Sequence, residues 1–558
     1  MRAIWFALLG MLTVPTALPA QSDPLDVAGR RQVFIDGRFL EVSEGVELVV
    51  HPPIKTNELT IAPEHPWETI ISGSSTVIKI GDVYHLWYGA RAPKQRDPDT
   101  GEPMWNKGRF QSLAYARSRD GIHWEKPMLG LAEIFGSKEN NIVLGYGAGG
   151  FEEQLIATSV FLDPNAVAEE RFRQLAYVRN PPALPASALH LFSSPDGIHW
   201  SLTRKSVIVF ESKKHHLDTQ NVIFWDDRIH KYVAYIRRNL RPPGSQGRAV
   251  ARSESGRLER FLNAEATPVV LAVDHLDPHH YDSREDRNVQ VMDLYTNATV
   301  KYPWAQDAYY MFPSAYYHYH SRFLREFEND SVFDFESFWD KQGETMPREG
   351  QTAANTGPLD IRFAASRDGI EWQRYDRRAF VDLGMKGEFD SKSNYMILGL
   401  VPALNGREMY MYYSGSDQIH AWGFQPQGEA VRREGLGPIR NIRALSRLVL
   451  RRDGFISVRA SYPGGQFTTP VLTFEGSELA LNVDTSALGT LRVEILDEFD
   501  NPLEGFRLAD CDRVHTTNEM NRIVTWRRES DVSRLSGKPV KLRFVMNDTD
   551  LYAFQFRQ

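Results

Sequence analysis

Seven residues that recur with the same internal offsets constrain this chain more than any other feature. Ser118-Arg119-Asp120-Gly121-Ile122-His123-Trp124 returns as Ser194-Pro195-Asp196-Gly197-Ile198-His199-Trp200, and again as Ser366-Arg367-Asp368-Gly369-Ile370-Glu371-Trp372. A worn copy stands at Ser253-Glu254-Ser255-Gly256-Arg257-Leu258-Glu259, and a partial one at Arg452-Asp453-Gly454-Phe455. Asp-Gly is turn chemistry: glycine takes a positive φ without a Cβ clash, and the aspartate caps the turn. The Ile and Trp that follow restart an alternating strand. Each heptad is preceded by a β-rich run, such as Leu113-Ala114-Tyr115-Ala116 or Leu189-His190-Leu191-Phe192. Strand, Asp-Gly turn, strand, repeated at the spacing of one blade, predicts a β-propeller. The heptad itself reads as structural, a turn on the outer part of each blade.

The rest of the chain fits around that repeat as an all-β protein. Five blade-sized units are expected over residues 67–126, 152–203, 216–261, 289–375 and 388–449, giving a five-bladed propeller over 67–446. A polar insertion at 321–357 interrupts the fourth. Residues 23–66 hold two strand-like runs, expected to pack on the propeller. After Gly435-Leu436-Gly437-Pro438 the pattern changes. Residues 447–558 alternate strand by strand between turns, such as Asp500-Asn501-Pro502 and Gly537-Lys538-Pro539, and predict a separate β-sandwich.

Residues 1–20 carry a basic start, an apolar run from Ile4 to Val14 and a small-residue end at Ala20. They read as a signal peptide, which places the mature protein in the periplasm or outside the cell. The lone cysteine, Cys511, offers neither a disulfide nor a lipid anchor at the amino end. A net charge of -7 without long single-sign runs argues against nucleic acid or a membrane surface as partner. Aromatic residues make up 11% of the chain, which suits stacking on sugar rings as well as core filling. Oligomeric state is not legible.

Val33-Phe34-Ile35-Asp36, Pro66-Trp67-Glu68, Asp218-Thr219-Gln220-Asn221, Gly387-Glu388-Phe389-Asp390-Ser391 and Leu503-Glu504-Gly505-Phe506 carry a resemblance. With the heptads, they make the chain similar to secreted glycoside hydrolases of the family 32, 43 and 68 type. The nearest likeness is to bacterial proteins with a glycosyl hydrolase family 32 N-terminal domain. The resemblance implies a carbohydrate substrate and hydrolysis of a glycosidic bond by paired carboxyl groups in the funnel. The W-M-N-D-P-N-G, R-D-P and E-C motifs of true fructan hydrolases are not recognised in the chain, which argues against fructans as substrate.

Such hydrolysis needs one carboxyl group to protonate the leaving oxygen and another to attack or to activate water. Acids at the start of each innermost strand are therefore the catalytic candidates: Glu68, Asp218, Asp293, Glu388 and Asp390, with Glu152 and Glu153 in the second blade. Asp218 and Asp390 lead, because each stands in a polar run that enters an apolar strand. Any one of them alone reads equally as a turn cap; the shared position gives the set its weight. Arg91, Arg237, Trp87, Tyr295, His318 and His420 are the candidates for holding substrate, with core or surface pairing as the plainer alternative for each.

No metal is expected. His275, His279, His280 and the Tyr316-Tyr317-His318-Tyr319-His320 cluster lack zinc-ligand spacing. No cofactor motif is present either. Two other functions remain open at this stage: a non-catalytic glycan-binding propeller, and a sialidase-like hydrolase using arginines such as Arg91, Arg237 and Arg322.

Overall fold

In the computed structural model the described residues are 23–101, 104, 109–151, 155–178, 188–209, 217–240, 247–261, 263–282, 287–317, 357–420 and 443–558. Residues 1–20, Glu152, Glu153, His318, His320 and Arg322 lie outside them. The described residues are all-β: strands joined by turns and short 3-10 segments, with no α-helix among them.

Three antiparallel four-stranded sheets follow one another as simple meanders. The first holds Ile70–Ile80, Val83–Pro93, Arg109–Ser118 and Ile142–Leu144. The second holds Leu155–Leu162, Phe172–Val178, Ala188–Ser194 and Ser201–Val209. The third holds Val222–Asp226, Lys231–Asn239, Arg248–Ser255 and Val269–Leu271.

The fourth unit is split. Val300–Lys301, Tyr309–Met311 and Ala364–Ser366 form one piece. Met292–Leu294, Ser314–Tyr317 and Leu359–Ile361 form another, which joins the fifth sheet through one parallel pair, Leu359 with Ser393. The break falls where Pro313 lacks an N–H to donate and Ala298 turns at φ 39. The fifth sheet runs Ser393–Met396, Glu408–Ser416, Arg443–Arg451 and Ile54–Ile61. Its outermost strand thus comes from the amino-terminal side of the chain.

Apolar cores lie between neighbouring sheets. Trp87, Leu113 and Tyr115 of the first sheet pack with Phe172, Phe192 and Trp200 of the second unit. Leu175 and Leu189 pack with Ile223 and Ile236 of the third. Tyr235 joins Tyr310, Phe363 and Met411 in a core spanning the third to fifth units. Tyr84, Leu86 and Tyr88 of the first sheet meet Tyr410 and Tyr412 of the fifth.

The heptads tie these layers together. Asp120 Oδ1 accepts from the backbone N–H of Ile122 and of His123, both at 2.8 Å, and Asp196 and Asp368 repeat the pattern. Ser118, Ser194 and Ser366 each accept from the N–H of the heptad glycine. The carbonyl of that glycine then takes a donor from another sheet. Trp87 Nε1 reaches Gly197 O at 2.6 Å, Tyr235 OH reaches Gly369 O at 2.8 Å, and Tyr412 OH reaches Gly121 O at 2.6 Å. Gly197 sits at φ 78, and a Cβ there would lie 2.5 Å from the Trp87 ring, so glycine is required twice over. In the worn copy Ser255 keeps only the first of the aspartate's two bonds, to the N–H of Arg257.

Two further sheets share the carboxy-terminal core. One contains Ile456–Ala460, Glu478–Asp484, Asn518–Ile523 and Thr549–Arg557. The other contains Gly465–Thr468, Thr490–Leu496, Val514–His515 and Lys541–Asn547. The amino-terminal segment divides: Ile54–Ile61 lies in the fifth sheet, while the strands before it join this core. Gln32–Val33 and Val46–Val50 extend the first of these sheets, and Val42–Glu44 extends the second. Its large side chains explain the preference: Phe34 and Phe39 are completely buried, and Phe34 packs edge-on against Phe467 at 5.8 Å. The Val33-Phe34-Ile35-Asp36 segment then locks the two parts, because Arg367 of the third heptad bonds Asp36 at 3.1 Å and Val33 O at 2.7 Å. The partial copy does likewise: Asp453 accepts from Tyr302 OH at 2.7 Å and from Arg31 Nε at 2.5 Å.

Candidate functional site

The polar run before Val222–Asp226 is held rigidly. Asn221 Nδ2 donates to Leu217 O and Thr219 O, both at 2.8 Å, and its Oδ1 accepts from Arg237 N–H at 3.2 Å. Thr219 Oγ1 donates to Tyr295 O at 3.1 Å. Gln220 reaches Met396 O at 3.0 Å and accepts from Ala298 N–H at 2.8 Å. The first strands of the third, fourth and fifth units are thereby fastened together, and Asp218 is presented at their edge. Its carboxylate pairs with Arg237 and keeps 35% side-chain exposure.

Tyr295 is the hub of the site. The guanidinium groups of Arg237 and Arg248 each lie 5.2 Å from the centre of its ring, within cation–π range. Arg248 also donates to Asp293 Oδ2 at 2.6 Å, a fully buried carboxylate, and lies 5.4 Å from the Tyr316 ring. The His420 ring is 4.8 Å from Tyr295 and 4.9 Å from Tyr316. Tyr395 OH lies 2.7 Å from His420 Nδ1, and Arg443 lies 5.3 Å from the Tyr395 ring.

The electrostatics follow from this crowding. Burial, and then the charges of Arg443, Arg248, Arg91 and Arg237, hold the His420 imidazole well below its ordinary pKa, so it is neutral near pH 7. Burial pushes the Tyr395 phenol up, against the pull of Arg443 and Arg91, so it keeps its proton. The phenol and His420 Nδ1 share one hydrogen bond, whose direction follows the imidazole tautomer. Three residues before His420, burial raises the Asp417 carboxyl to about 6, although Gln418, Lys392 and Arg443 all favour its ionised form. That is the range of a group able to give up a proton under mildly acidic conditions.

Six of the predicted residues converge on this place: Asp218, Asp293, Arg91, Arg237, Tyr295 and His420. Arg91 reaches it from the first sheet, with its Nε donating to Gln111 Oε1 at 2.7 Å. Others have separate surroundings. Asp390 is fully buried and accepts from Tyr413 OH at 2.7 Å, with Lys55 Nζ at 2.5 Å. It bridges the fifth sheet to its outermost strand. Glu388 accepts from Met385 N–H at 2.8 Å and closes a turn.

Glu68 is also fully buried. It takes Lys126 Nζ on one oxygen and Tyr88 OH on the other, both at 2.6 Å. With Glu64 and His65 it forms a group of potential cation ligands, and the Lys126 ammonium already lies 2.8 Å from Glu64 in that group. Trp87 takes the core alternative left open for it: its ring is completely buried and its Nε1 donates to Gly197 O. His318, Glu152 and Glu153 lie outside the described residues.

Sequence reasoning missed Arg248, Arg443, Tyr316, Tyr395 and Asp417. Tyr316 stood in a segment read for metal ligands, and Tyr395 opens the expected strand that follows the polar run Ser391-Lys392-Ser393-Asn394. An R-D-P tripeptide, as in fructan hydrolases, does occur at Arg96-Asp97-Pro98, but on an exposed loop. There Asp97 Oδ1 accepts from the N–H of Asp99 and Thr100.

No known family profile matches the chain, and no curated protein matches it. Solved structures similar to it include a protein described as a glycoside hydrolase, 14% identical with a TM-score of 0.42, the match covering 72% of this chain and 92% of that one. A thermostable family-43 glycoside hydrolase is 13% identical with a TM-score of 0.38, covering 71% and 95%. A family 43 arabinoxylan arabinofuranohydrolase from Bacillus subtilis, solved in complex with cellotetraose, is 12% identical with a TM-score of 0.39, covering 91% and 99%.

Proposed function

We propose that the protein is an exported carbohydrate-active hydrolase that cleaves a glycosidic bond at the Tyr295 hub, within a five-bladed propeller followed by a β-sandwich. The observation that carries this reading is the convergence of Asp218–Arg237 and Asp293–Arg248 on one partly exposed tyrosine ring beside His420. Closure of the propeller is supported by the core shared between the first and fifth sheets and by the Tyr412–Gly121 bond.

In the proposed reaction a sugar ring lies on Tyr295, its apolar C–H face against the ring. Asp218, oriented by Arg237, attacks the anomeric carbon or takes a proton from the water that does. Asp417 gives its proton to the leaving oxygen, the glycosidic C–O bond breaks, and water supplies the hydroxyl at the anomeric carbon. Buried Asp293 holds Arg248 in place beside the ring.

The test is release of reducing ends from a panel of plant and algal polysaccharides and aryl glycosides, by wild type and Asp417→Asn. A missing proton donor is rescued by a leaving group that needs no proton. Asp417→Asn is therefore expected to lose activity on polysaccharide far more than on nitrophenyl glycosides. Equal loss on both would sink the role given to Asp417.

A second reading, a glycan-binding propeller without turnover, is favoured by one observation: both central carboxylates are already ion-paired with arginine. Binding of oligosaccharide with no release anywhere on the panel would establish it.

A further inference from the structure

A cavity of about 600 Å³ lies farther along the segments that carry the Tyr295 hub. Every unit contributes to its wall: Ile78 from the first, Phe161 from the second, Trp225 from the third, Val300 and Trp304 from the fourth, and Leu398 from the fifth. The Gln220 network sets it apart from the hub. In the third unit Asp218 precedes Gln220, and the lining residue Val222 follows it. In the fourth and fifth, Gln220 bonds Ala298 N–H and Met396 O. These stand between Tyr295 and Val300, and between Tyr395 and Leu398. The proposed hydrolysis makes no use of this second chamber. Its size is that of a small-molecule site, roughly 300–1,000 Å³.

The wall decides the ligand's chemistry. Ile78, Phe224, Trp225, Val300 and Trp304 are each half-buried where they line the space. The wall hydroxyls already have partners: Thr76 Oγ1 accepts from Val160 N–H at 3.2 Å, and Thr299 Oγ1 donates to Asn297 Oδ1 at 3.0 Å. A sugar carries several hydroxyls per ring, and burial here would leave most of them unmatched. The cations at the mouth are paired as well: Arg30 with Asp26, Arg31 with Asp453, and Lys301 with Asp226 and Asp227. A charged ligand would have to break one of these pairs. An uncharged aromatic ring makes neither demand and gains contact with the indoles.

We infer that the chamber is a binding site for an uncharged aromatic molecule of one or two rings, seated against Trp225 and Trp304. The inference concerns binding alone and does not rest on the hydrolase reading.

Isothermal titration of the full chain with 2-naphthol at pH 7 tests it. A Kd of about 0.1 mM is expected, the affinity a ligand of that size reaches. Two competitors test the ligand class: 2-naphthoate adds a charge to the same rings, and methyl β-glucopyranoside is an uncharged sugar. At a concentration equal to that of 2-naphthol, neither should displace it. Trp304→Ala removes part of the wall and Ile78→Trp fills the space. Each should weaken naphthol binding about tenfold or more while keeping a cooperative melting transition. Should neither variant fold, amide hydrogen exchange of the wild type takes their place: naphthol should protect residues 222–226 and 299–306.

Absence of naphthol binding overturns the inference. So does binding undiminished in the folded variants, or protection confined to other segments. Displacement by the glucoside or by the naphthoate overturns the ligand class. None of these outcomes depends on reducing-end release, so the hydrolase reading stands or falls separately.

Discussion

Two sets of aspartates divide the labour in this molecule. Asp120, Asp196 and Asp368 stand in turns and take their hydrogen bonds from the next two or three residues. Asp218 and Asp293 take theirs from arginines 19 and 45 residues away. Burial would push the Asp196 carboxyl up, but the His199 N–H and imidazole, with the Ile198 N–H, bring it down to about 2. The turn aspartates are thus held in the ionised form by their own heptads. The interior pair is positioned by long-range packing and shares its surroundings with aromatic rings. Local satisfaction makes a structural aspartate; distant satisfaction beside an open ring makes a candidate for chemistry.

Asp390 is the case that breaks a simple version of that rule, since its partners are also distant. It is fully buried, whereas Asp218 is partly exposed, and its partners are Lys55 and Tyr413. Asp390→Ala would leave the Lys55 ammonium without its buried counter-ion. A loss of about 3–5 kcal/mol in denaturant unfolding is expected, the largest stability change predicted here. A loss within 1 kcal/mol, together with abolished turnover, would place Asp390 with the interior catalytic set instead.

Gly197→Ala is expected to come next. A methyl group has no room beside the Trp87 ring, and the positive φ adds strain. Overpacking at such a contact costs about 1–3 kcal/mol, and loss of the Trp87–Gly197 bond should appear as a shift in tryptophan fluorescence.

The smallest expected effect concerns Asp417. Burial raises its folded pKa to about 6, above the unfolded value near 4. The native state therefore binds its proton more tightly, so stability from this group is full below about pH 4 and falls as pH rises through 6. Asp417→Asn should flatten that limb and stabilise the chain at neutral pH by about 1–2 kcal/mol, after allowance for partial exposure. A turn carboxylate carries the opposite sign: Asp196→Asn should lose stability above its low folded pKa and show no gain at neutral pH. The same sign in both variants would erase the distinction between the two sets.

What was legible in the sequence follows the same division. The heptads could be read because every bond that defines them lies within seven residues, and they announced the repeated sheets. Asp218 could be read because Thr219, Gln220 and Asn221 form a polar run before an apolar strand. Asp390 has the same local look, yet its side chain goes to Lys55, on a strand near the other end of the chain.

Arg443, Arg248 and Tyr395 carry no local mark, since only the meeting of separate sheets makes them neighbours. Trp87 was left open between sugar and core for the same reason: a tryptophan on an aromatic strand looks alike whether it meets a sugar or the next sheet's turn. The strands of residues 25–50 alternate like any edge strand, and only the volume of Phe34 and Phe39 selects the carboxy-terminal core.

The most direct test of the account is turnover by Asp218→Asn. Reducing-end release would be measured beside wild type on whichever substrate the panel identifies, with a melting curve for each protein. A drop of about a hundredfold to ten-thousandfold is predicted, with a cooperative melting transition lowered by loss of the ion pair to buried Arg237, because the variant still folds and lacks the carboxylate proposed to attack or activate water. Undiminished release would contradict the account and move the chemistry away from the Tyr295 hub.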